Sequence, residues 1–382
     1  MSQSAAASGT VRRWWVGARR DVGAVAPTFV VARVAVLVGW LAAGVARGGT
    51  EPTMRLRGEG LLAWDGTWYR DIAVAGYDAL PDTALRFFPL YPLLARWLAW
   101  PLGGSAGPVS WVLVVLANVA ALAAAVALYR LVLTERGDAR LARLSAGALA
   151  LFPTGFVLVW AYSEALFLLG AIGVFWGART RHWWWAAVAG VVAGATRPLG
   201  VFLVPAAFVE ALRAARAGAR GRELVAAVAA VVAPLAGTGV WLAWVGRRTG
   251  DWLFPFTSQS DLRGEAVNPI QRLWEGFGDL FGPEALGDGL HVPFAVAFVV
   301  LVVVVARTWP VSYTLFALGV LVAALAADNL NSLERYALNA FPVVLAVAGL
   351  CTTAWRTRVA SAVGVAGLVS LSALAWVGTY VP

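Results

Sequence analysis

The sequence has no lysine, one cysteine (Cys351) and two histidines (His182 and His291). A single cysteine excludes an internal disulfide. Two histidines in separate segments argue against a histidine-based metal site or a Ser/His/Asp relay. Charge is scarce as well: 13% of the residues are charged, 60% are hydrophobic, and the mean hydropathy is +0.73. A soluble domain of 382 residues could not solvate itself with so few charges, so we expect an all-α polytopic membrane protein.

Long apolar runs divide the chain into about eleven predicted transmembrane helices. Four arginines precede the first run, which favours a signal-anchor helix entering from the cytoplasm over a cleaved signal peptide. Several runs have only about 14–16 residues, so they must be tilted, broken or sheltered by neighbours. The runs lie at roughly 28–46, 109–133, 143–160, 163–178, 183–196, 199–213, 224–245, 291–306, 310–327, 336–353 and 358–378.

The 30 basic residues, all arginines, give a net charge of +9 but form no continuous patch, so we expect no nucleic-acid partner. Their distribution instead indicates the topology. If 87–103 is an outer juxtamembrane helix rather than a span, seventeen arginines and five acids fall on the cytoplasmic side, against twelve arginines and sixteen acids outside. We therefore predict a cytoplasmic segment 1–27 and one integral-membrane domain 28–382, with outer loops at 47–108 and 247–290.

This topology places every unusual polar segment on the outer face, and such convergence is typical of a site. The first of these segments is the aromatic and charged stretch 64–92. We expect a helix at 65–75, with Asp65 and Tyr69 on one face. A carboxylate beside aromatic rings can act as a general base. Asp65 could instead be a helix N-cap, and Asp71 is a second candidate base or a solvated surface acid.

Further candidates follow along the chain. Arg86 begins a segment made rigid by Pro89 and Pro92, which is either a pocket wall or part of an interfacial aromatic belt. Arg197 and Arg335 could clamp a phosphate, although snorkelling (for Arg197) or pairing with a neighbouring acid (for Arg335) would also explain them. Glu164 is either a solvated cap or a cavity wall. The remaining candidates for substrate binding are Trp64, Phe88, Tyr91, Tyr162, Gln259 and Tyr336.

A transporter is less favoured, because we find no charged residue deep within a run and no inverted repeat. Arg33, Glu164, Arg197 and Glu210 are expected near the ends of spans. There is also no glycine-rich phosphate loop and no sizeable cytoplasmic domain that could hold a nucleotide.

Five motifs in order resemble the PIG-V mannosyltransferases, glycosyltransferase family 76 of the GT-C superfamily, and the composition resembles that of an actinobacterial member. The resemblance covers about residues 28–350, and Trp68 stands where eukaryotic relatives usually have a histidine. The matching segments are Trp64-Asp65-Gly66 with Trp68-Tyr69, Ile72-Ala73 and Gly76-Tyr77; Phe87-Phe88-Pro89-Leu90-Tyr91-Pro92; Phe152-Pro153 with Ala161-Tyr162-Ser163-Glu164; Thr196-Arg197-Pro198 with Gly200; and Glu334-Arg335-Tyr336 with Phe341-Pro342.

The resemblance implies a GT-C enzyme that transfers mannose from polyprenyl-phosphate-mannose to a glycan, glycolipid or protein, on the extracytoplasmic face of the plasma membrane. It implies that Asp65 is the base and that the reaction inverts the anomeric carbon. Arg197 and Arg335, with Arg86 as a third, would hold the donor phosphate, and Tyr162 and Glu164 would line the sugar site. No metal or other cofactor is required. The alternatives are a GT-C transferase for another lipid-linked sugar, a flippase for lipid-linked sugars, and a non-catalytic partner in envelope assembly.

Overall fold

The computed structural model describes residues 2–46, 51–258, 264, 266–281 and 288–382. Over these residues the chain is helical without a β-strand, apart from an isolated bridge between Ala266 and Ala327, and the all-α prediction is confirmed. The α-helices in chain order are α1 (Ser2–Ala46), α2 (Glu51–Glu59), α3 (Asp65–Ala75), α4 (Leu90–Ala99), α5 (Ala106–Arg136), α6 (Ala139–Ala150), α7 (Glu164–Arg179), α8 (Trp183–Thr196), α9 (Leu203–Arg216), α10 (Arg222–Thr249), α11 (Phe254–Thr257), α12 (Pro269–Asp279), α13 (Val292–Thr308), α14 (Val311–Leu325), α15 (Leu333–Asn339), α16 (Pro342–Leu350) and α17 (Ala354–Val377).

Six helices in the described part of the chain are long and apolar enough to cross a membrane, which gives the fold of a multi-pass membrane protein. A seventh crossing is possible if α15 and α16, which bend by 85°, form one broken span. The other four predicted runs are the shorter helices α6, α7, α8 and α14. Every one of the eleven predicted runs therefore contains helix. The six long segments are Arg19–Val45, Ala106–Arg136, Pro198–Arg216, Arg222–Thr249, Asp288–Thr308 and Ala354–Val377.

Glycines allow the short helix α8 to pack closely against its neighbours. A Cβ at Gly194 would lie 2.0 Å from the carbonyl oxygen of Pro234 in α10, and a Cβ at Gly237 would lie 2.4 Å from that of Val191. Only a residue without a side chain permits this approach, as in other small-residue helix contacts within membranes. The tight α8–α10 pair holds the end of α8, where Arg197 follows, in a fixed position.

The predicted cytoplasmic arginines lie in or beside six segments, which meet at one end of the helical bundle that we call the arginine end. These segments are 1–27 and the gaps between predicted runs at 134–142, 179–182, 214–223, 307–309 and 354–357. Ion pairs and hydrogen bonds connect all six, which confirms that these segments share one end of the bundle. The compartment that this end faces stays a prediction. The contacts are Arg130 with Asp21, Arg179 with Glu135 and Glu210, Arg181 with Glu223, Arg136 with the Thr308 carbonyl, and Arg140 with the carbonyls of Cys351 and Thr352.

One prediction about charge within the membrane is wrong. Arg33 lies near the middle of the membrane-length segment Arg19–Val45, not at its end. Its guanidinium donates to Asn118 Oδ1 at 3.1 Å and to the Leu158 carbonyl at 3.3 Å, which satisfies a cation that lipid could not solvate. The absence of mid-span charge therefore no longer argues against a transporter.

The first large loop lies at the bundle end opposite the arginine end, because α5 begins there and finishes at Arg136. Within this loop α4 has ten residues and spans about 15 Å, too short to cross a membrane. Tyr91 and Ala95 are buried, whereas Trp97 and Trp100 are largely exposed. This pattern fits the predicted juxtamembrane helix at 87–103, and the loop's helices surround the cavity described next.

Candidate active site

A cavity of about 340 Å³ opens at the end of the bundle opposite the arginine end. It combines aromatic walls with three arginines and one carboxylate. Its volume lies within the range of small-molecule sites, on the order of 300–1,000 Å³. The lining residues are Trp64, Asp65, Tyr69, Arg86, Phe87, Phe88, Thr196, Arg197, Pro198, Leu199, Asn331, Ser332, Arg335, Tyr336, Val381 and Pro382.

Four charged side chains from four distant parts of the sequence form one network at this cavity. Arg335 Nη1 donates to Asp65 Oδ2 at 2.7 Å, and Arg335 Nε lies 3.4 Å from Glu164 Oε1. The same Glu164 oxygen accepts from Arg197 Nη1 at 2.5 Å. Glu164 is fully buried, and it therefore supports both arginines from behind the cavity wall.

The network contains buried polar atoms that make no hydrogen bond with any described residue. In the part of the chain that the structure describes, Glu164 Oε2, Arg197 Nε and Arg335 Nε are buried without a hydrogen-bond partner. Buried polar atoms are normally paired with protein groups, water or a ligand. Counting Arg86, three arginine side chains accompany two carboxylate side chains. The side chains of the site are thus suited to binding an anion.

A strained backbone positions Asp65 at the start of α3. The residue before it, Trp64, has φ 61° and ψ −119°, which is rare for a residue with a large side chain. The Trp64 indole donates to the Ala375 carbonyl at 2.9 Å, and Gly66 brings the first turn of α3 close to Ala161. Asp65 is not an N-cap, since Trp64 occupies that position and the Asp65 carboxylate binds Arg335.

Proline explains the place of Arg197. The residue before a proline avoids the helical region, so α8 ends at Thr196 and Arg197 is extended, with φ −152° and ψ 148°. Its side chain is 11% exposed and contacts the first turn of α7, where Glu164 begins the helix and Ser163 accepts from Arg197 Nη1 at 3.2 Å. Arg197 is therefore held inside the protein and does not snorkel to the interface.

Arg335 rests on a second constrained segment. Ser332, at the start of α15, has φ 65°, and its hydroxyl donates to the Pro382 carbonyl at 2.8 Å. The neighbouring Glu334 is fully buried; its two carboxylate oxygens meet His291 Nδ1 at 2.7 Å and the Tyr380 hydroxyl at 2.9 Å. Neither Glu334 nor Asp328 pairs with Arg335, contrary to the alternative considered for it.

Backbone strain concentrates around this cavity. In the described part of the chain, three residues other than glycine have positive φ: Trp64, Arg181 and Ser332. Two of them, Trp64 and Ser332, line the cavity. Strain of this kind persists where the surrounding structure enforces it, and it is frequent at functional sites.

The aromatic wall is ordered by hydrogen bonds and ring contacts. Tyr69 bonds to the Ser163 hydroxyl at 2.8 Å, and its ring meets Phe87 edge to face. Burial raises the pKa of the Tyr69 phenol above its ordinary value, so the group stays neutral. The Arg86 guanidinium lies 5.4 Å from the Trp68 ring and 4.9 Å from the Phe87 ring, within the range of a cation–π contact.

The structure brings eight of the twelve predicted site residues to the cavity surface: Trp64, Asp65, Tyr69, Arg86, Phe88, Arg197, Arg335 and Tyr336. Three others lie behind the wall, which corrects their expected place at the surface. Tyr91 donates to the Leu113 carbonyl at 2.8 Å, Tyr162 accepts from the Asp65 amide at 3.3 Å, and Glu164 holds the arginines. The twelfth, Gln259, lies outside the described residues.

Sequence reasoning missed two features of the site. His291 was assigned to an unrelated segment, yet its contact with Glu334 supports the helix that carries Arg335. Asn331 and Ser332 also line the cavity. The only signal for this in the sequence is that Ser332 lies three residues before Arg335. Asp71 pairs with Arg70 at the surface, with 44% of its side chain exposed, as expected of a solvated acid.

A second cavity, of about 580 Å³, adjoins the first. The two share Pro198, Leu199 and Tyr336. The rest of its lining is mostly apolar and comes from the segment Pro198–Phe202, from α11 and from the end of α14. A charged cavity therefore opens beside an apolar one, an arrangement suited to an amphipathic ligand with an anionic head.

No group of three or more His, Cys, Asp or Glu side chains that could hold a metal ion occurs among the residues described. What the side chains themselves provide is one carboxylate that can accept a proton and three cations that can stabilise a leaving anion.

No protein-family model matches the chain, and no curated protein matches it. Among solved structures, it is similar to the crystal structure of the Archaeoglobus fulgidus oligosaccharyltransferase in complex with zinc and sulfate, at 13% identity and a TM-score of 0.43. The similarity covers 92% of this chain and 53% of that chain, so the present chain spans about half of the oligosaccharyltransferase's length. Similarity at this level carries no functional argument, which must come from the site.

Proposed function

We propose that the protein is a membrane glycosyltransferase of the GT-C type that transfers mannose from polyprenyl-phosphate-mannose to an extracytoplasmic acceptor with inversion. The observation that carries the proposal is the network of Asp65, Arg335, Glu164 and Arg197. In this network the Asp65 carboxylate lines the cavity, and the buried Glu164 holds Arg197 and Arg335 in the cavity wall, where they can bind an anion. The choice of mannose as the sugar and polyprenyl phosphate as its carrier rests on the ordered motifs that resemble PIG-V enzymes.

The donor's chemistry matches the two adjoining cavities. A polyprenyl phosphosugar is a phosphodiester with one negative charge, and arginine side chains outnumber carboxylate side chains at the polar cavity. Guanidinium groups pair with phosphate oxygens through two parallel hydrogen bonds. Arg197 Nε has no hydrogen-bond partner among the described residues, and Arg335 Nε has only the longer contact of 3.4 Å with Glu164. The isoprenoid chain would occupy the apolar cavity, with Pro198 and Leu199 at the boundary between head and tail.

In the proposed reaction, the oxygen of an acceptor hydroxyl attacks the anomeric carbon of the sugar. The bond from that carbon to the phosphate oxygen breaks, and its electron pair leaves with polyprenyl phosphate. The hydroxyl proton passes to Asp65. Arg197 and Arg335 stabilise the negative charge that develops on the leaving phosphate, the kind of contribution that is often worth about 10²–10³ in rate. Attack opposite to the leaving group converts a β-linked donor into an α-mannoside.

The ion pair between Asp65 and Arg335 also indicates an order of events. Without donor, Arg335 neutralises the base at 2.7 Å. A donor phosphate would compete with Asp65 for Arg335, and the carboxylate would then be free to accept a proton. The acceptor would therefore be activated only in the presence of donor, which would limit loss of the sugar to water.

The test is reconstitution of the protein into liposomes with radiolabelled polyprenyl-phosphate-mannose and an actinobacterial envelope extract as the acceptor pool. A transferase places label in a new glycoside, or releases free mannose slowly to water. A flippase moves the donor between leaflets with its glycosidic bond intact. Consumption of a labelled polyprenyl-linked arabinose or glucose, with the mannose donor untouched, would replace mannose by another sugar.

A further inference from the structure

Helix α12 (Pro269–Asp279) presents an apolar face that no part of the described chain covers. Ile270, Trp274 and Phe277 follow the i, i+4, i+7 spacing of one helical face. Ile270 is 82% exposed and Trp274 is 77% exposed, and Phe281, just beyond the helix, is 92% exposed. An apolar stripe of this size on a short helix calls for an occupant.

The other two faces of α12 are already assigned. Arg272 and Gly276 face the protein: Arg272 pairs with Asp279 at 3.1 Å and with Asp288 at 2.5 Å, and a Cβ at Gly276 would lie 3.0 Å from Val292. Gln271 and Glu275 are exposed and hydrogen-bonded to each other at 2.7 Å. At 100° per residue, the polar face lies roughly 115° around the helix from the apolar face, and the protein-facing side lies roughly 145° from it, so the apolar face points away from the bundle.

The contact with Val292 places α12 beside the start of a helix that is long and apolar enough to span a membrane. Val292 begins α13, inside the membrane-length segment Asp288–Thr308. Along α13, Val296 and Val300 are also exposed on the outside of the bundle. The protein-facing side of α12 therefore contacts the first turn of a spanning helix whose next turns expose apolar side chains, and the apolar face of α12 points away from the bundle at that level.

We infer that α12 lies in the lipid–water interface, with Ile270, Trp274 and Phe277 inserted among the acyl chains and Gln271 and Glu275 facing water. Tryptophan is enriched at this depth, and amphipathic helices bind there through their buried apolar area. Because the exposed polar face has an acid and no basic residue, the partner is a phospholipid surface recognised by its apolar part and not by anionic headgroups. This inference does not depend on the proposed reaction.

The experiment places one nitroxide label at a time on each face of α12 in the full-length protein, reconstituted in phosphatidylcholine bilayers. Ile270→Cys and Trp274→Cys test the apolar face, and Gln271→Cys and Glu275→Cys are the matched controls. Cys351, which is buried, is replaced by serine, or left in place where that variant does not fold. Power-saturation spectroscopy then compares relaxation by oxygen, which partitions into lipid, with relaxation by a water-soluble nickel chelate.

The inference predicts high oxygen and low nickel accessibility at positions 270 and 274, with the reverse at 271 and 275. Equal nickel accessibility on both faces would overturn it, because the apolar stripe would then lie in water. Shielding of 270 and 274 from both reagents, with spin–spin broadening, would also overturn it and would indicate a second copy of this chain on the stripe. Two apolar-face positions keep the test decisive if Trp274→Cys fails to fold.

Discussion

Replacing Arg335 with glutamine should reduce transfer by about 100–1,000-fold. The substitution removes the group that contacts Asp65 at 2.7 Å and Glu164 at 3.4 Å, and it removes one of the three positive charges of the cavity. Losing a bidentate contact to the leaving phosphate costs about 3–4 kcal/mol. At 1.36 kcal/mol for each factor of ten, that is roughly two to three orders of magnitude in kcat/KM.

Arg335→Lys separates charge from geometry. Lysine keeps the positive charge but lacks the planar fork that binds two phosphate oxygens. We expect it to retain more activity than Arg335→Gln, with a loss of about tenfold. Donor binding and kcat/KM are measured in the same reconstituted preparation, after size-exclusion chromatography has shown that each variant is folded.

The matched control is Arg70→Gln. Arg70 and Asp71 also form an ion pair at 2.8 Å on the cavity helix α3, but their side chains are 32% and 44% exposed. Exposed pairs contribute roughly 0–1 kcal/mol, so transfer should change by less than about threefold. Folded Arg335→Gln protein with activity as close to wild type as that of Arg70→Gln would refute the phosphate-binding role.

Three further variants test other parts of the account. Glu164→Gln leaves Arg197 and Arg335 without their buried counterion and should destabilise the protein by roughly 3–5 kcal/mol, measured by thermal unfolding; stability equal to wild type would contradict its supporting role. Gly194→Val should disrupt the α8–α10 contact because its Cβ would lie 2.0 Å from the Pro234 carbonyl oxygen, whereas Gly239→Ala, on α10 with open space around it, should leave folding intact. Tyr69→Phe should share the wild-type pH profile up to about pH 10: burial raises the pKa of the phenol, so the neutral form persists where an ordinary tyrosine would begin to ionise. Divergence of the two profiles below that pH would show that Tyr69 titrates.

The sequence was most informative where apolar runs and arginines set the outcome. Run length predicted where helices form, and the arginine gaps predicted which helix ends would meet; the Arg179 contacts with Glu135 and Glu210 show the result. Pro198, the first residue of the turn Pro198–Phe202, likewise predicted that Arg197 lies at the end of a helix. These features are local, or they follow because successive gaps of a chain that crosses a bilayer lie on alternate sides.

Contacts between distant segments could not be read in the same way. Asp65 and Arg335 are 270 positions apart, and no local pattern announces their pairing. Whether Glu164 faces the cavity or lies behind it depends on how α7 rotates against its neighbours. The mid-span position of Arg33 was missed because the predicted run begins at 28, whereas the membrane-length segment begins at Arg19. Its partners, Asn118 and the Leu158 carbonyl, belong to other segments and could not be predicted either.

The most direct test of the central claim compares wild type with Asp65→Asn for label transfer from polyprenyl-phosphate-mannose, with donor binding measured in parallel. The account predicts a loss of transfer of about 10²–10⁴-fold, the usual contribution of a general base. Donor binding should be equal or tighter, because Arg335 loses the carboxylate that competes with the phosphate. Transfer within tenfold of wild type, or donor binding lost together with transfer, would contradict the assignment of Asp65 as the base.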